Sequence, residues 1–201
     1  MPYTLDDWER AIPQACRTIT SYPPAAFLFR QQDSADAIFL LLEGQVRLMR
    51  HLEDGSVVIL HVARSGETLA EAALFSSHYH CDALVVTPTR VMVIRKEPLL
   101  TLMTESPELN LYLTKVLAHQ VRHLRSMLTL RNIRSAEARV MAWLRLHANG
   151  NTPTVTMSQT WKTVAEEIGL THEVLYRTLA MLEKSGTIKR RGAGVVLLTS
   201  T

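Results

Sequence analysis

Four side chains within six residues carry the most specific chemistry in this chain: His172, Glu173, Tyr176 and Arg177. On a helix these positions share one face. A guanidinium there can donate two parallel hydrogen bonds to a guanine edge, and a carboxylate can accept from the cytosine amino group, so Arg177 and Glu173 are the expected base-specifying pair. His172, beside the helix start, is placed to touch a phosphate or a base, and Tyr176 completes the face. A solvated face on a small helical bundle would carry the same four polar residues. The surrounding segment decides between the two.

Residues 162–188 hold two short amphipathic helical patterns on either side of Gly169, Leu170 and Thr171. Val164 and Ile168 mark the inner face of the first, and Leu175, Leu179 and Leu182 that of the second. Thr163 and Glu166 have the form of a capping box, while Thr171 and Glu173 supply an N-cap and an acid in the first turn. Gly169 gives the sharp turn and Ala165 a close crossing, so the segment is expected to be a helix-turn-helix. Ser185 and Gly186 then end the helix, and residues 188–191, 192–194 and 195–198 read as strand, turn and strand. In this hairpin wing Lys189, Arg190 and Arg191 are expected, with Thr171, to contact DNA phosphates, adding affinity but little sequence choice.

A second chemical cluster is His78, Tyr79, His80, Cys81 and Asp82. His78, His80 and Cys81 could ligate a metal, or Cys81 could titrate as a redox thiol. Read otherwise, the run is a polar turn entering a strand, with Cys81 packed as a small hydrophobe. An enzyme built on this cluster lacks a matched base, an oxyanion loop and a GxxxxGK phosphate loop. No catalytic residue is assigned, and no cofactor is expected.

The elements that must position these residues follow from the chain in order. Residues 1–20 are expected to be a short helix, with Leu5, Trp8 and Ile12 on one side. Six β-rich runs follow at 25–30, 37–42, 45–51, 57–62, 83–86 and 91–94, punctuated by turns at Gly44, Gly55 and Gly66. Many short strands with glycine turns predict a roll or sandwich, with a turn or two of helix wedged in at 69–75. Residues 98–134 are helical, broken at Ser106 and Pro107. Leu117, Val121, Leu124 and Leu128 recur at steps of four, three and four, with Leu113 and Met127 widening the stripe. A helix buried in its own subunit gives the same spacing as a coiled-coil dimer seam. Helix-turn-helix readers bind paired half-sites, which favours the seam over Leu113, Leu117, Val121, Leu124 and Leu128. A helix at 135–147, capped by Ser135 and turning Val140, Trp143 and Leu144 inward, leads through a turn at 149–153 to a strand at 154–157.

Composition agrees with this division. The chain has 201 residues, 47% hydrophobic and 20% charged, with a formal charge of +3. Residues 1–97 carry 9 basic and 12 acidic side chains, whereas residues 98–201 carry 13 and 7, so the basic half is the one expected to meet a polyanion. Two cysteines, Cys16 and Cys81, are too few for a disulfide framework. No signal peptide and no apolar run of membrane-spanning length is legible, so no membrane partner and a cytoplasmic location are expected.

Over nearly its whole length the chain resembles the cyclic-AMP receptor protein / fumarate and nitrate reduction regulator (CRP/FNR) superfamily of bacterial transcription factors. GETLAEAALFSS at 66–77 is similar to that family's phosphate-binding cassette, and GLTHEVLYRTLAMLEKSGTI at 169–188 to its recognition segment. The resemblance implies an α+β fold of three parts: a cyclic-nucleotide-binding-like β-roll (jelly roll) at 1–106, a dimerisation helix at 107–134 and a winged helix-turn-helix at 135–201. It implies a homodimer on double-stranded DNA with a two-fold-related operator, a GA step read by Glu173 and Arg177, and contact with RNA polymerase if the protein activates. The implied effector pocket comprises Gly66, Glu71, Ala72, Cys81, Asp82, Leu124 and Arg125. Glu71 matches the family's ribose-binding Glu, but Cys81 and Asp82 replace the phosphate-binding Arg-Ser pair, and Leu124 and Arg125 replace its polar helix pair. Cyclic AMP is therefore not expected in the usual manner, because replacing the cationic clamp by a thiol and an acid removes a charge-assisted hydrogen bond and adds the acid's repulsion toward phosphate. The family's iron–sulfur cysteines are missing, and its haem ligands fall at Ala70 and Ala72. An unknown small effector, a constitutive regulator without ligand, and a metal or redox sensor using His78, His80 and Cys81 all remain open.

Overall fold

Apolar runs of alternating facing build the first part of the chain. The strands are β1 (Arg17–Tyr22), β2 (Phe27–Phe29), β3 (Ala37–Glu43), β4 (Gln45–His51), β5 (Val57–Arg64), β6 (Thr68–Leu69), β7 (Asp82–Val85) and β8 (Thr89–Arg95). They pair antiparallel into two sheets, ordered β1-β8-β3-β6 and β2-β7-β4-β5. Side chains alternate across a strand. In β3, Phe39 and Leu41 enter the core between the sheets with Phe29, Val46, Ala83 and Val85. Ile38 and Leu40 face the opposite way, onto Trp8, Ile12 and Leu99 of the helices outside. A strand buried on both faces explains the unbroken run AIFLLL. The jelly-roll expectation is met.

This computed structural model describes residues 5–148, 153–157, 160–191 and 194–198, and it divides into two units, Met1–Gln120 and Val121–Thr201. The first helix is shorter than its sequence suggests. α1 (Leu5–Ala11) stops before Pro13, which cannot continue a helix, and residues 17–22 are β1 instead. The Thr18, Ile19, Thr20 run is β-branched and takes its place beside β8, with Ile19 opposite Met92. Trp8 and Ile12 are buried as expected.

After β8 come α2 (Lys96–Glu105) and α3 (Pro107–Asn132). The break between them has a local cause. Pro107 opens α3, where its missing N–H costs nothing, and the Ser106 hydroxyl accepts from the Leu109 amide at 3.2 Å. The division between units falls within α3.

The second unit adds α4 (Ala136–His147), β9 (Thr154–Thr156), α5 (Trp161–Ile168), α6 (His172–Lys184), β10 (Ile188–Arg191) and β11 (Gly194–Leu197). Its small antiparallel sheet runs β10-β11-β9, so the expected two-stranded wing is joined by a third strand. One core serves the unit: Val140, Trp143 and Leu144 of α4 meet Val164 and Ile168 of α5 and Leu175, Leu179 and Leu182 of α6. The expected turns at 149–153 and 192–194 fall largely outside the described residues. Among the described residues no helix is long and apolar enough to cross a membrane.

The β3–β4 hairpin tests this architecture. Gly44 has φ +93°, and a Cβ there would lie 2.5 Å from the Pro88 carbonyl oxygen and 2.8 Å from Thr89 Cα. Both neighbours are backbone and cannot step aside. Gly44→Ala is expected to lower stability by about 2–3 kcal/mol, from left-handed strain and overpacking together. Urea unfolding measures this, and a loss under about 0.5 kcal/mol would mean that the hairpin relaxes freely.

Candidate nucleic-acid interface and cassette

The helix-turn-helix is closed by three local devices. α5 is capped by Thr160, whose hydroxyl accepts from the Thr163 amide at 3.2 Å. The expected capping box on Thr163 and Glu166 is thereby corrected: the helix begins three residues earlier, and Thr163 is a buried position inside it. Gly169 ends α5 at φ +67°, the left-handed conformation that glycine adopts without penalty. Thr171 caps α6 as expected, accepting from the Val174 amide at 3.2 Å.

With its inner face held by Leu175, Thr178, Leu179 and Leu182, α6 turns His172, Glu173, Tyr176 and Arg177 to the outside. All four are exposed. The Glu173 and Arg177 side chains carry no hydrogen bond or ion pair among the described residues, so both charges are available to a partner. The His172 and Tyr176 rings meet edge to face with centroids 4.4 Å apart, which orders them against one another before any contact is made.

The wing cations do not form one uniform group. Lys189, Arg190 and Arg191 are all exposed on β10, but Arg190 is bound to Glu183 near the end of α6. Its Nε donates to Glu183 Oε2 at 2.8 Å and its Nη2 to the same oxygen at 2.6 Å, while its amide donates to Oε1 at 3.1 Å. Arg190 thus fastens the wing to α6, leaving Lys189 and Arg191 as the outward charges.

Along α3 the apolar stripe separates into two sets. Leu113 packs within the first unit's core, and Met127 within the second's. Leu113 is thus a residue of its own subunit's interior, because the first turns of α3 lie against Trp8, Ile38 and Leu99. Leu117, Val121, Leu124 and Leu128 remain 39%, 45%, 56% and 62% exposed, a seam left open in the single chain.

The cassette holds Glu71 at the start of a single 3-10 turn, Glu71–Ala73, preceded by Ala70 at φ 68°. Gly66, at φ +87°, lies in the turn before β6, and Ala72 is exposed. Glu71 is not vacant. Gln120 of α3 donates its side-chain amide to the Glu71 carboxylate and, at 2.9 Å, to the Thr68 hydroxyl, which itself donates to Glu71 at 3.3 Å. Burial raises the Glu71 carboxyl above its ordinary range. Sequence pattern did not single out Gln120; its position on α3 facing the cassette becomes visible only once the helix is placed.

Cys81 and Asp82 prove to be interior residues. Cys81 lies in the core between the sheets, and burial pushes its thiol up to about 11. Asp82 accepts from the Gln31 amide at 2.7 Å and stands 3.3 Å from His51 Nε2. His78 and His80 point to solvent while Cys81 does not, so the three do not converge. Partial desolvation of this otherwise exposed ring, with Arg50 nearby, lowers His80 below its ordinary value. Among the described residues no three His, Cys, Asp or Glu side chains form a metal-sized group. Leu124 and Arg125 fall in the second unit and are exposed.

The cyclic nucleotide-binding domain family matches residues 19–106. The chain is 29% identical over 173 residues to the transcriptional activatory protein AadR of Rhodopseudomonas palustris, spanning 83% of this chain and 72% of that one. It is 28% identical over 177 residues to the nitrogen fixation regulation protein FixK of Bradyrhizobium diazoefficiens, spanning 85% and 74%. Among solved structures, a CooA mutant from Carboxydothermus hydrogenoformans aligns with a TM-score of 0.74 at 17% identity, covering 92% of this chain and 85% of that one. The structure of FixK2 from Bradyrhizobium japonicum aligns at 0.72 with 18% identity, covering 91% and 93%. At such identities the structural likeness concerns the fold.

Two measurements follow from the cassette. A carboxyl raised in the folded state favours folding fully below its unfolded pKa and loses that contribution as pH rises through the folded value. Glu71→Gln, always neutral and still able to accept from Gln120, is expected to be more stable than the parent at pH 7, with the gap closing as pH falls below about 4. A reversed gap in urea unfolding would show that Glu71 is stabilising as an anion, and a gap unchanged between the two pH values that its ionisation is not coupled to folding. At pH 8 the Cys81 thiolate amounts to about one part in a thousand, so iodoacetamide should label it at least about a hundred-fold more slowly in the native protein than in urea. Prompt native labelling of both cysteines would refute its placement.

Proposed function

From the match of residues 19–106 to the cyclic nucleotide-binding domain family and the similarity to the regulators AadR and FixK, we propose that the chain is a CRP/FNR-type transcriptional regulator, a cytoplasmic homodimer that reads a two-fold-related operator in double-stranded DNA. In this reading residues 1–106 form the sensor roll, residues 107–134 the dimerising helix and residues 135–201 the DNA-binding domain. The observation that carries it is the pair Glu173 and Arg177: one turn apart, exposed and uncommitted, on a helix whose opposite face is fully buried. A guanidinium and a carboxylate so placed suit the adjoining guanine and cytosine edges of a GA step in the major groove. His172 and Tyr176, ordered against each other, act on the flanking base pairs. Thr171, Lys189 and Arg191 meet phosphates, and Arg190 contributes chiefly by holding the wing.

The open seam supports the dimer. Leu117, Val121, Leu124 and Leu128 follow a heptad register, and pairing them with a second copy would remove from water four large side chains that the single chain leaves exposed. Recognition helices on two such chains would then face half-sites one duplex turn apart. RNA polymerase is a partner if the protein activates.

An effector, where one exists, is not cyclic AMP bound in the usual way. The positions that would clamp its phosphate are a buried thiol and an acid already engaged by Gln31 and His51. Any occupant of the cassette that recruits Glu71 competes with Gln120, and so acts directly on α3. A constitutive regulator, in which the Glu71–Gln120 contact is permanent, is the second reading. The elevated Cys81 thiol and its separation from His78 and His80 weigh against a metal or redox sensor, and the same residues offer no catalytic constellation.

Selection of bound fragments from random duplexes gives the operator, after which two variants divide the roles. Arg177→Ala is expected to cost about 1–3 kcal/mol on the operator and to relax choice at one base pair. Lys189→Ala is expected to weaken all duplexes alike and reduce the salt slope by about one. Discrimination unchanged at every base pair in Arg177→Ala, or a protein that sediments as a monomer with and without DNA, would remove the reading.

A further inference from the structure

Between α3 and α4 lie three residues outside any helix, 133–135, and one side chain spans them. Arg139, in the first turns of α4, donates through Nε at 2.9 Å and Nη2 at 2.6 Å to the carbonyl of Ile133. Its remaining nitrogen, Nη1, donates at 3.1 Å to the carbonyls of both Ile168 and Gly169. Arg131, at the end of α3, adds a bond from its Nε to the Glu167 carbonyl at 3.2 Å. Two guanidinium groups thus grip three consecutive carbonyls at the C-terminal end of α5, where the helix dipole is negative and backbone acceptors lack intrahelical donors. The same fork holds the connection by which α3 enters the reading head.

The geometry points to Arg139 as a positioning residue for DNA recognition: it ties the exit of α3 to the turn that launches α6, and so fixes the half-site separation that two copies can occupy. This rests on the dimeric-regulator reading above. Three features support a positional role over a merely cohesive one. The fork reaches backbone atoms on two different connections, 133–135 and 169–171, which makes it a bridge between them. The hydrophobic core of the unit is complete without it, since Trp143, Leu144, Ile168 and Leu179 are buried by one another. And a planar fork fixes direction, whereas a lysine ammonium would satisfy the same charge without reaching both sides.

The full-length protein is titrated with duplexes carrying two selected half-sites, their separation changed one base pair at a time. The parent is expected to prefer one separation by at least about ten-fold over its neighbours. Arg139→Gln and Arg139→Lys are expected to flatten that preference to about three-fold or less while binding a single half-site as the parent does. Arg134→Gln, which removes an exposed charge from the same connection, is expected to keep the preference. A cohesive role would instead lower binding at every separation by one factor. That result, or an undiminished preference in Arg139→Gln, overturns the proposal, as does a parent that binds well but shows no preferred separation, which needs no variant to fold. Absence of DNA binding by the parent strikes the regulator reading itself and is seen separately.

Discussion

A helix can present side chains to a groove only if its own backbone does not move, and α6 is held by its inner row. Leu175, Leu179 and Leu182 are removed from water against Val140, Trp143 and Leu144, each leucine contributing about 2 kcal/mol. Everything exposed on that helix inherits its orientation from this contact. Thr171 at one end and Glu183, through Arg190, near the other add direction to the anchorage. The wing is therefore tied to the C-terminal part of α6.

The cassette shows how a fold can be kept while its chemistry changes. Where the resemblance leads one to expect a cation for a phosphate, the structure has a thiol buried among apolar side chains and an aspartate bonded to the β2–β3 connection. Neither is idle: Cys81 fills the sheet core, and Asp82 satisfies the Gln31 amide and meets His51. The carboxylate that remains, Glu71, is satisfied from α3 by Gln120. The first unit thereby gains an internal polar contact at the place where a ligand contact would be made.

Much of this was legible in the residues themselves, and the gaps have physical causes. The 3.6-residue spacing of Leu175, Leu179 and Leu182 placed α6 and its outward face directly, because a helix packed on one side writes its period into the sequence. The strand at Arg17–Tyr22 was hidden by the helical pattern before it, and Pro13 was the signal that should have divided them. Thr160 and Thr163 are chemically alike, so only backbone geometry could tell which one caps α5. Leu113 shares the period of the exposed seam yet faces inward, since spacing states that residues lie together without stating what covers them. Arg139 was invisible for a deeper reason: its acceptors are main-chain carbonyls, which every residue possesses.

The four outward positions of α6 lie outside the domain's core, while the leucines behind them help to form it. Substitution at 172, 173, 176 and 177 is thus decoupled from the integrity of the domain. On the proposed reading, the preferred operator can drift, or be deliberately retargeted, without loss of the fold. A regulator arranged in this way evolves its vocabulary and its scaffold on separate clocks.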